Sequence, residues 1–180
     1  YKEYSPCSVL APFIYHFWEY KGETRSGLKF NIPPHGCSDL VFIVGNAADC
    51  IRNSLIMKPY HSYFFGPMNT FTELVAHTNF IHIIGVRFRP CGLFQFIEIP
   101  LNELANQGID SQEFPVLFSQ SFIYQLCESN QNPIDIIEHE LVRQVYKNNM
   151  DTEKQISYAV SLISRQKGIV SIKELAAEAC

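Results

Sequence analysis

The sequence predicts an α+β chain: an antiparallel β-barrel or sandwich followed by a helical region. Two observations carry this. Up to about Phe88 the apolar residues alternate with period two, in short runs separated by turn-forming clusters and with no helical crossover between them. Beyond Phe88 the apolar spacing changes to that of helices. Short strands without crossovers favour an antiparallel two-layer or closed sheet.

The strands follow in order. Residues 14–20 (IYHFWEY) form a β-branched and aromatic run. In 28–32, Leu28, Phe30 and Ile32 share one face and Lys29 and Asn31 the other. Residues 39–45 (DLVFIVG) are apolar after the first residue, as expected of a strand buried on both faces. Runs at 60–65, 72–77 and 80–88 complete the set, punctuated by PPHG, GNAAD, GPMN and HTN.

The helices follow. Residues 90–99 open a helix or a turn, and 100–107 a second short one. Residues 115–128 carry Phe118, Phe122, Ile123 and Leu126 at helical spacing. Next comes a helix with Asn132 as N-cap, Pro133 at its first position and Asp135 in its first turn. Its stripe is Ile134, Ile137, Leu141 and Val145, while Ile136, Val142 and Tyr146 lie off it. Such a helix is either sandwiched within the fold or shared with a second copy in a homodimer. Residues 148–155 read as a linker into a helix with Ile156, Ala159, Val160 and Ile163 on one face and Gly168 as left-handed cap. Ser171 and Glu174 then make a capping box, with Val170 and Leu175 as a hydrophobic staple and Ala176 allowing close approach. Three regions result: a β-rich domain at 1–88, a helical linker or dimerisation region at 89–150, and a helix pair at 151–180.

The chain has 180 residues, 47% of them apolar, with fourteen Phe, nine Tyr and one Trp, which is a globular composition. Its formal charge is −4. Basic and acidic residues balance in 151–180, so the excess lies in 1–150, where nothing suggests a phosphate-binding surface. The six Cys are scattered with no C-x-x-C pair, and read as reduced thiols of a cytoplasmic protein. No apolar run is long enough to suggest a membrane span.

The capped helix pair opens a helix-turn-helix equally well as it forms two ordinary helices. The stretch 156–180 is similar to the opening of an AraC/XylS-type DNA-binding domain. Residues 5–20, 33–46, 64–67 and 85–107 resemble the N-terminal regulatory domain of one branch of these bacterial transcription regulators. The resemblance implies a cupin-like barrel that senses a small-molecule effector, helices that support a homodimer, and a helix-turn-helix start at Ser171, Glu174, Leu175 and Ala176. DNA would be a partner of the longer protein but not of residues 1–180, because the recognition helix would follow Cys180. In that branch a Pro-Asp-Gly-Cys stretch usually enters the third strand; here His35 stands in place of the acidic residue. The alternative is a non-regulatory cupin, either a sugar-binding module or an isomerase.

Five residues are candidates for lining a ligand pocket: His16, Trp18, Asp39, His82 and Arg87. His16 and Trp18 share a strand face. For both Trp18 and His82 core packing is the commoner reading of such a residue, and pocket lining the alternative. Asp39, if it points inward, needs Arg87 or Arg89 as partner; if outward, it is surface decoration. No H-x-H pair is present, so no metal is expected. Cys37 and Ser38 lack a nucleophile elbow and an evident base, and no phosphate loop or dinucleotide fingerprint occurs, so neither catalysis nor a cofactor is expected.

Overall fold

The computed structural model describes residues 1–45, 48–50, 55–97, 103–113, 117–147 and 154–179. Its strands are β1 (Lys2–Tyr4), β2 (Ile14–Glu23), β3 (Lys29–Ile32), β4 (Asp39–Ile43), β5 (Ala48–Cys50), β6 (Leu55–Ile56), β7 (Ser62–Phe65), β8 (Thr72–Ala76), β9 (Phe80–Phe88) and β10 (Gly108–Asp110). The helices are α1 (Gln120–Glu128), α2 (Pro133–Lys147), α3 (Lys154–Arg165) and α4 (Ile172–Ala179). Two compact units result, Tyr1–Lys147 and Asn148–Cys180.

The first unit is an antiparallel β-sheet-rich domain followed by helices, an α+β arrangement. One sheet has the order β1-β2-β9-β4-β7-β10 and the other β3-β8-β5-β6. The central strand β4 is buried along its whole length, as its unbroken apolar run requires. Its alternate residues feed two separate cores. Leu40 and Phe42 join Phe17, Ile84, Val86 and Phe88 against the helical residues Ile123, Leu126, Ile137 and Leu141. Val41 and Ile43 join Tyr63, Phe65, Ile81 and Ile83 on the face toward the smaller sheet.

The first two helices open on capping side chains. Ser119 accepts a hydrogen bond from the Phe122 amide at 3.2 Å, so α1 starts at Gln120 and not at 115. Asn132 caps α2 through the Ile134 amide at 3.1 Å. Ile134, Ile137 and Leu141 are buried, while Ile136, Val142 and Val145 pack half-buried against the same core.

Several elements differ from expectation. β10 lies inside the stretch read as helical and pairs with β7. The 90–99 segment contributes one 3-10 turn, Gly92–Gln95, entered by Cys91 in a left-handed conformation. Residues 103–106 form turns, and 98–102, part of the second short helix expected there, lie outside the described residues. Leu28 is exposed although Phe30 and Ile32 face inward, because the strand starts only at Lys29.

In the second unit α3 ends at Gly168, whose φ of 78° and N–H bond to the Ile163 carbonyl form the expected left-handed cap. The capping box is complete: the Glu174 amide donates to Ser171 Oγ and the Ser171 amide to Glu174 Oε2, both at 3.1 Å. The expected core position Ile163 is 39% exposed, and among the described residues of α3 Leu162 is buried instead. The Ile156 side chain and the bulk of the 148–155 linker lie outside the described residues. Among the described residues no helix is long and apolar enough to cross a membrane.

Candidate functional site

The face of the six-stranded sheet opposite the helices borders a cavity of about 240 Å³. Phe30, Ile32 and Leu74 line it from the smaller sheet, and Trp18, Tyr20, Val41, Phe65, Ile81 and Ile83 from the larger. Alternation in β2, β4 and β9 puts these side chains on one face. Its polar contributors are few: Asp39, Arg87 and Thr72, with the polar ends of Tyr1, Trp18 and Tyr20 on otherwise apolar rings.

Asp39 and Arg87 sit directly opposite each other across β4 and β9. Arg87 donates from Nε to Asp39 Oδ1 at 2.9 Å and from Nη2 to Oδ2 at 2.7 Å. This bidentate pair is nearly closed to solvent at its acidic end, where the Asp39 side chain is 6% exposed. The bonds to Asp39 raise the Arg87 pKa further above its already high value, so the guanidinium stays charged. Of the two arginines considered from sequence, Arg89 is engaged elsewhere: its Nε donates to the Ala11 carbonyl and its guanidinium stacks over Tyr15. Asp39 therefore points inward.

His35 joins the pair. Its Nε2 lies 3.6 Å from Asp39 Oδ2 and 3.4 Å from Arg87 Nη2. Burial, with the Arg87 charge, holds the imidazole below its usual pKa against the pull of Asp39 and the Cys37 backbone. Its Nδ1 is buried near that backbone without a well-formed hydrogen bond. Sequence reasoning set His35 aside as a departure from a motif. The signal that could have found it is its spacing, four residues before Asp39, across a tight turn.

Trp18 lies flat over Gly85, where an added Cβ would come within 1.9 Å of the indole Cε2. The glycine is thus required by the close approach of the ring. Tyr1 stacks on the other side with centroids 6.3 Å apart.

His16 is directly opposite Arg87 in register and shares the face of Trp18, but it does not line the cavity; its Nε2 is 4.0 Å from Glu3. His82 is a correction. It sits on the opposite face of the sheet, with Ile84 and Val86, and bonds to Glu19 Oε1 at 2.8 Å, so it takes no part in the cavity. Tyr4 donates to the other Glu19 oxygen at 2.9 Å. The sequence pattern placed His82 on this apolar face but could not say which face held the empty space. Ser171, Glu174, Leu175 and Ala176 lie in the second unit at the start of α4. Among the described residues no three His, Cys, Asp or Glu side chains gather in a metal-binding group.

Residues 2–110 match the family described as "Domain of unknown function (DUF6597)". No curated protein matches the chain. Among solved structures, ligand-free ToxT from Vibrio cholerae, carrying a lysine-to-alanine substitution, is similar with 7% identity and a TM-score of 0.44; the match covers 90% of this chain and 69% of that one. A second ToxT structure from Vibrio cholerae shows 10% identity over 91% of this chain and 88% of its own, with a TM-score of 0.32. A third, bound to (E)-4-(8-methylnaphthalen-1-yl)but-3-enoic acid, shows 11% identity over 91% and 89%, with a TM-score of 0.31.

Proposed function

This chain belongs to the DUF6597 family, and we propose on that premise that it is the regulatory part of an AraC-type transcription regulator. In this reading the first unit holds a small-molecule effector and the second opens the helix-turn-helix. The observation that carries it is the cavity between the sheets, lined mostly by apolar side chains that, among the described residues, make no catalytic constellation. The capped helix α4 supports the second half, because in this reading it is the first helix of the motif, and the recognition helix would follow it. The sequence stretches that resemble the AraC/XylS-type regulators fall in both units.

Effector binding would act by shifting a pre-existing balance between arrangements of the helices. Dimerisation through α2 belongs to the same proposal. Val142→Glu would then give a folded monomer by light scattering, whereas a fold-destroying effect would place Val142 in the intramolecular core alone. The competing reading, a sugar-binding or isomerase cupin, is disfavoured by how few polar groups face the cavity.

The deciding experiment is selection of bound duplexes from a randomised DNA pool by the protein expressed from its natural gene. Enrichment of a defined motif is expected. No enrichment, or turnover of a bound small molecule by the purified protein, would overturn the regulatory reading.

A further inference from the structure

Among the described residues three buried side-chain nitrogens have no hydrogen-bond partner: His16 Nε2, Trp18 Nε1 and His35 Nδ1. Buried polar groups are nearly always paired, so each such atom needs an explanation. All three surround one residue. His16 faces Arg87 across the strand pair, His35 approaches Arg87 Nη2 at 3.4 Å, and Trp18 shares the cavity wall with Arg87 and lies two residues from His16 on β2. Of the three, Trp18 lines the cavity together with Arg87, while His16 and His35 lie beside Arg87 outside the lining.

The chemistry of these groups is lopsided. An indole N–H and a guanidinium only donate. Arg87 bonds through Nε and Nη2 among the described residues, which leaves Nη1 to donate. If His35 Nε2 accepts from Arg87, its proton sits on Nδ1, a further donor. The site thus asks for an acceptor. It does not ask for a negative charge: Arg87 is already neutralised by a bidentate Asp39, and Glu3 adds a second carboxylate near His16. An entering anion would meet a buried carboxylate and lose its hydration in an apolar chamber.

We propose that the cavity takes an apolar molecule carrying one uncharged acceptor group, such as an ester, ketone, amide or lactone carbonyl, with that group at the Arg87 end and Trp18 Nε1 as donor. This rests on the reading that the cavity is an effector site. It excludes sugars, whose many hydroxyls would find few partners here, and it ranks neutral carbonyl compounds above carboxylates.

The chain has a single Trp, so its fluorescence reports on this wall alone. The probes are methyl octanoate, octanoate at pH 8, decane and arabinose, titrated with fluorescence and calorimetry as readouts. The ester is expected to bind saturably, to perturb Trp18 emission, and to bind about tenfold more tightly than decane or octanoate, the ratio of one satisfied buried donor. Trp18→Phe, followed by calorimetry, should cost the ester about tenfold and leave decane nearly unchanged. Octanoate binding more tightly than the ester would overturn the neutral-acceptor class, and arabinose binding would restore the sugar reading. Equal binding of ester and decane, or equal losses for both in Trp18→Phe, would mean that water already serves the unpaired donors and would overturn the proposal. So would the absence of binding by any probe. Failed DNA selection beside intact ester binding would remove the regulatory reading and leave the ligand class standing.

Discussion

The two faces of the six-stranded sheet are built by the same strands and end in opposite ways. On the helix-covered face Phe17, Leu40, Phe42, Ile84, Val86 and Phe88 are all fully buried and meet α1 and α2. On the other face their immediate neighbours Trp18, Asp39, Val41, Ile83 and Arg87 border open space. A one-residue step along a strand thus separates side chains that hold the fold from side chains that could hold a ligand. Because the alternation is strict, the two sets can be varied separately. The comparison therefore makes quantitative claims.

The largest contrast is in stability. Phe42→Ala opens a void in a close-packed layer and should cost about 3–5 kcal/mol in urea unfolding. Ile83→Ala trims a wall that already borders space, so the transfer loss dominates and about 1–2 kcal/mol is expected. Equal losses would mean that the inner face is as tightly packed as the outer one in solution.

The next contrast lies in the ion pair. Asp39→Leu strands a half-buried Arg87 and should cost about 2–3 kcal/mol, below the usual figure for a buried pair because the Arg87 side chain keeps 26% of its exposure. Adding Arg87→Met should return the protein to within about 1 kcal/mol of the parent, since hydrophobic replacement of a buried pair is often neutral. A double variant no better than the single would show that the pair supports the fold directly.

A smaller effect is expected at Gly85. The added methyl of Gly85→Ala meets the Trp18 ring, which must tilt into the cavity, at a cost of about 1–2 kcal/mol. A shifted Trp emission with modest destabilisation is the expected pair of readings. Unchanged emission would show that the ring does not lie on Gly85.

These contrasts also explain what the sequence could and could not show. The alternation in β9 put His82 with Ile84 and Val86 and set Arg87 on the other side, and both placements hold. The unbroken run of β4 announced burial on both sides. The caps at Asn132, Gly168 and Ser171 were legible because they depend on residues only a few positions apart. What alternation cannot supply is the identity of the layer beyond each face, so His82 stands among the cavity candidates although it lies on the other face and bonds to Glu19. β10 escaped because three residues are too few to show a period and its pairing partner is more than forty residues away. His35 escaped because its importance comes from a turn that brings it beside Asp39 and Arg87, a contact in space and not a pattern in the chain.

The finest test uses pH, because His35 beside the cavity pair and Glu19 on the helix side should register in different ranges. On the cavity face, burial lowers the His35 pKa in the folded chain. The folded state then binds fewer protons than the unfolded one below the ordinary imidazole value of about 6.5. Stability associated with His35 is present above that value and is lost as pH falls through the lower folded value. On the helix face the titrating partner is Glu19. Burial pushes its carboxyl up, but the bonds from His82 and Tyr4, with the charges of His82 and Lys2, outweigh this and lower it. That stability is present above the ordinary carboxylate value of about 4.3 and is lost only as pH falls below it. Urea unfolding across the pH range should therefore show two descents, one below neutrality and one in the carboxylate range, neither steeper than about 1.4 kcal/mol per pH unit for a single proton. His35→Gln should flatten the first and spare the second; Glu19→Gln should do the reverse. A first descent that survives His35→Gln would place its origin in another histidine and remove His35 from the account of the cavity.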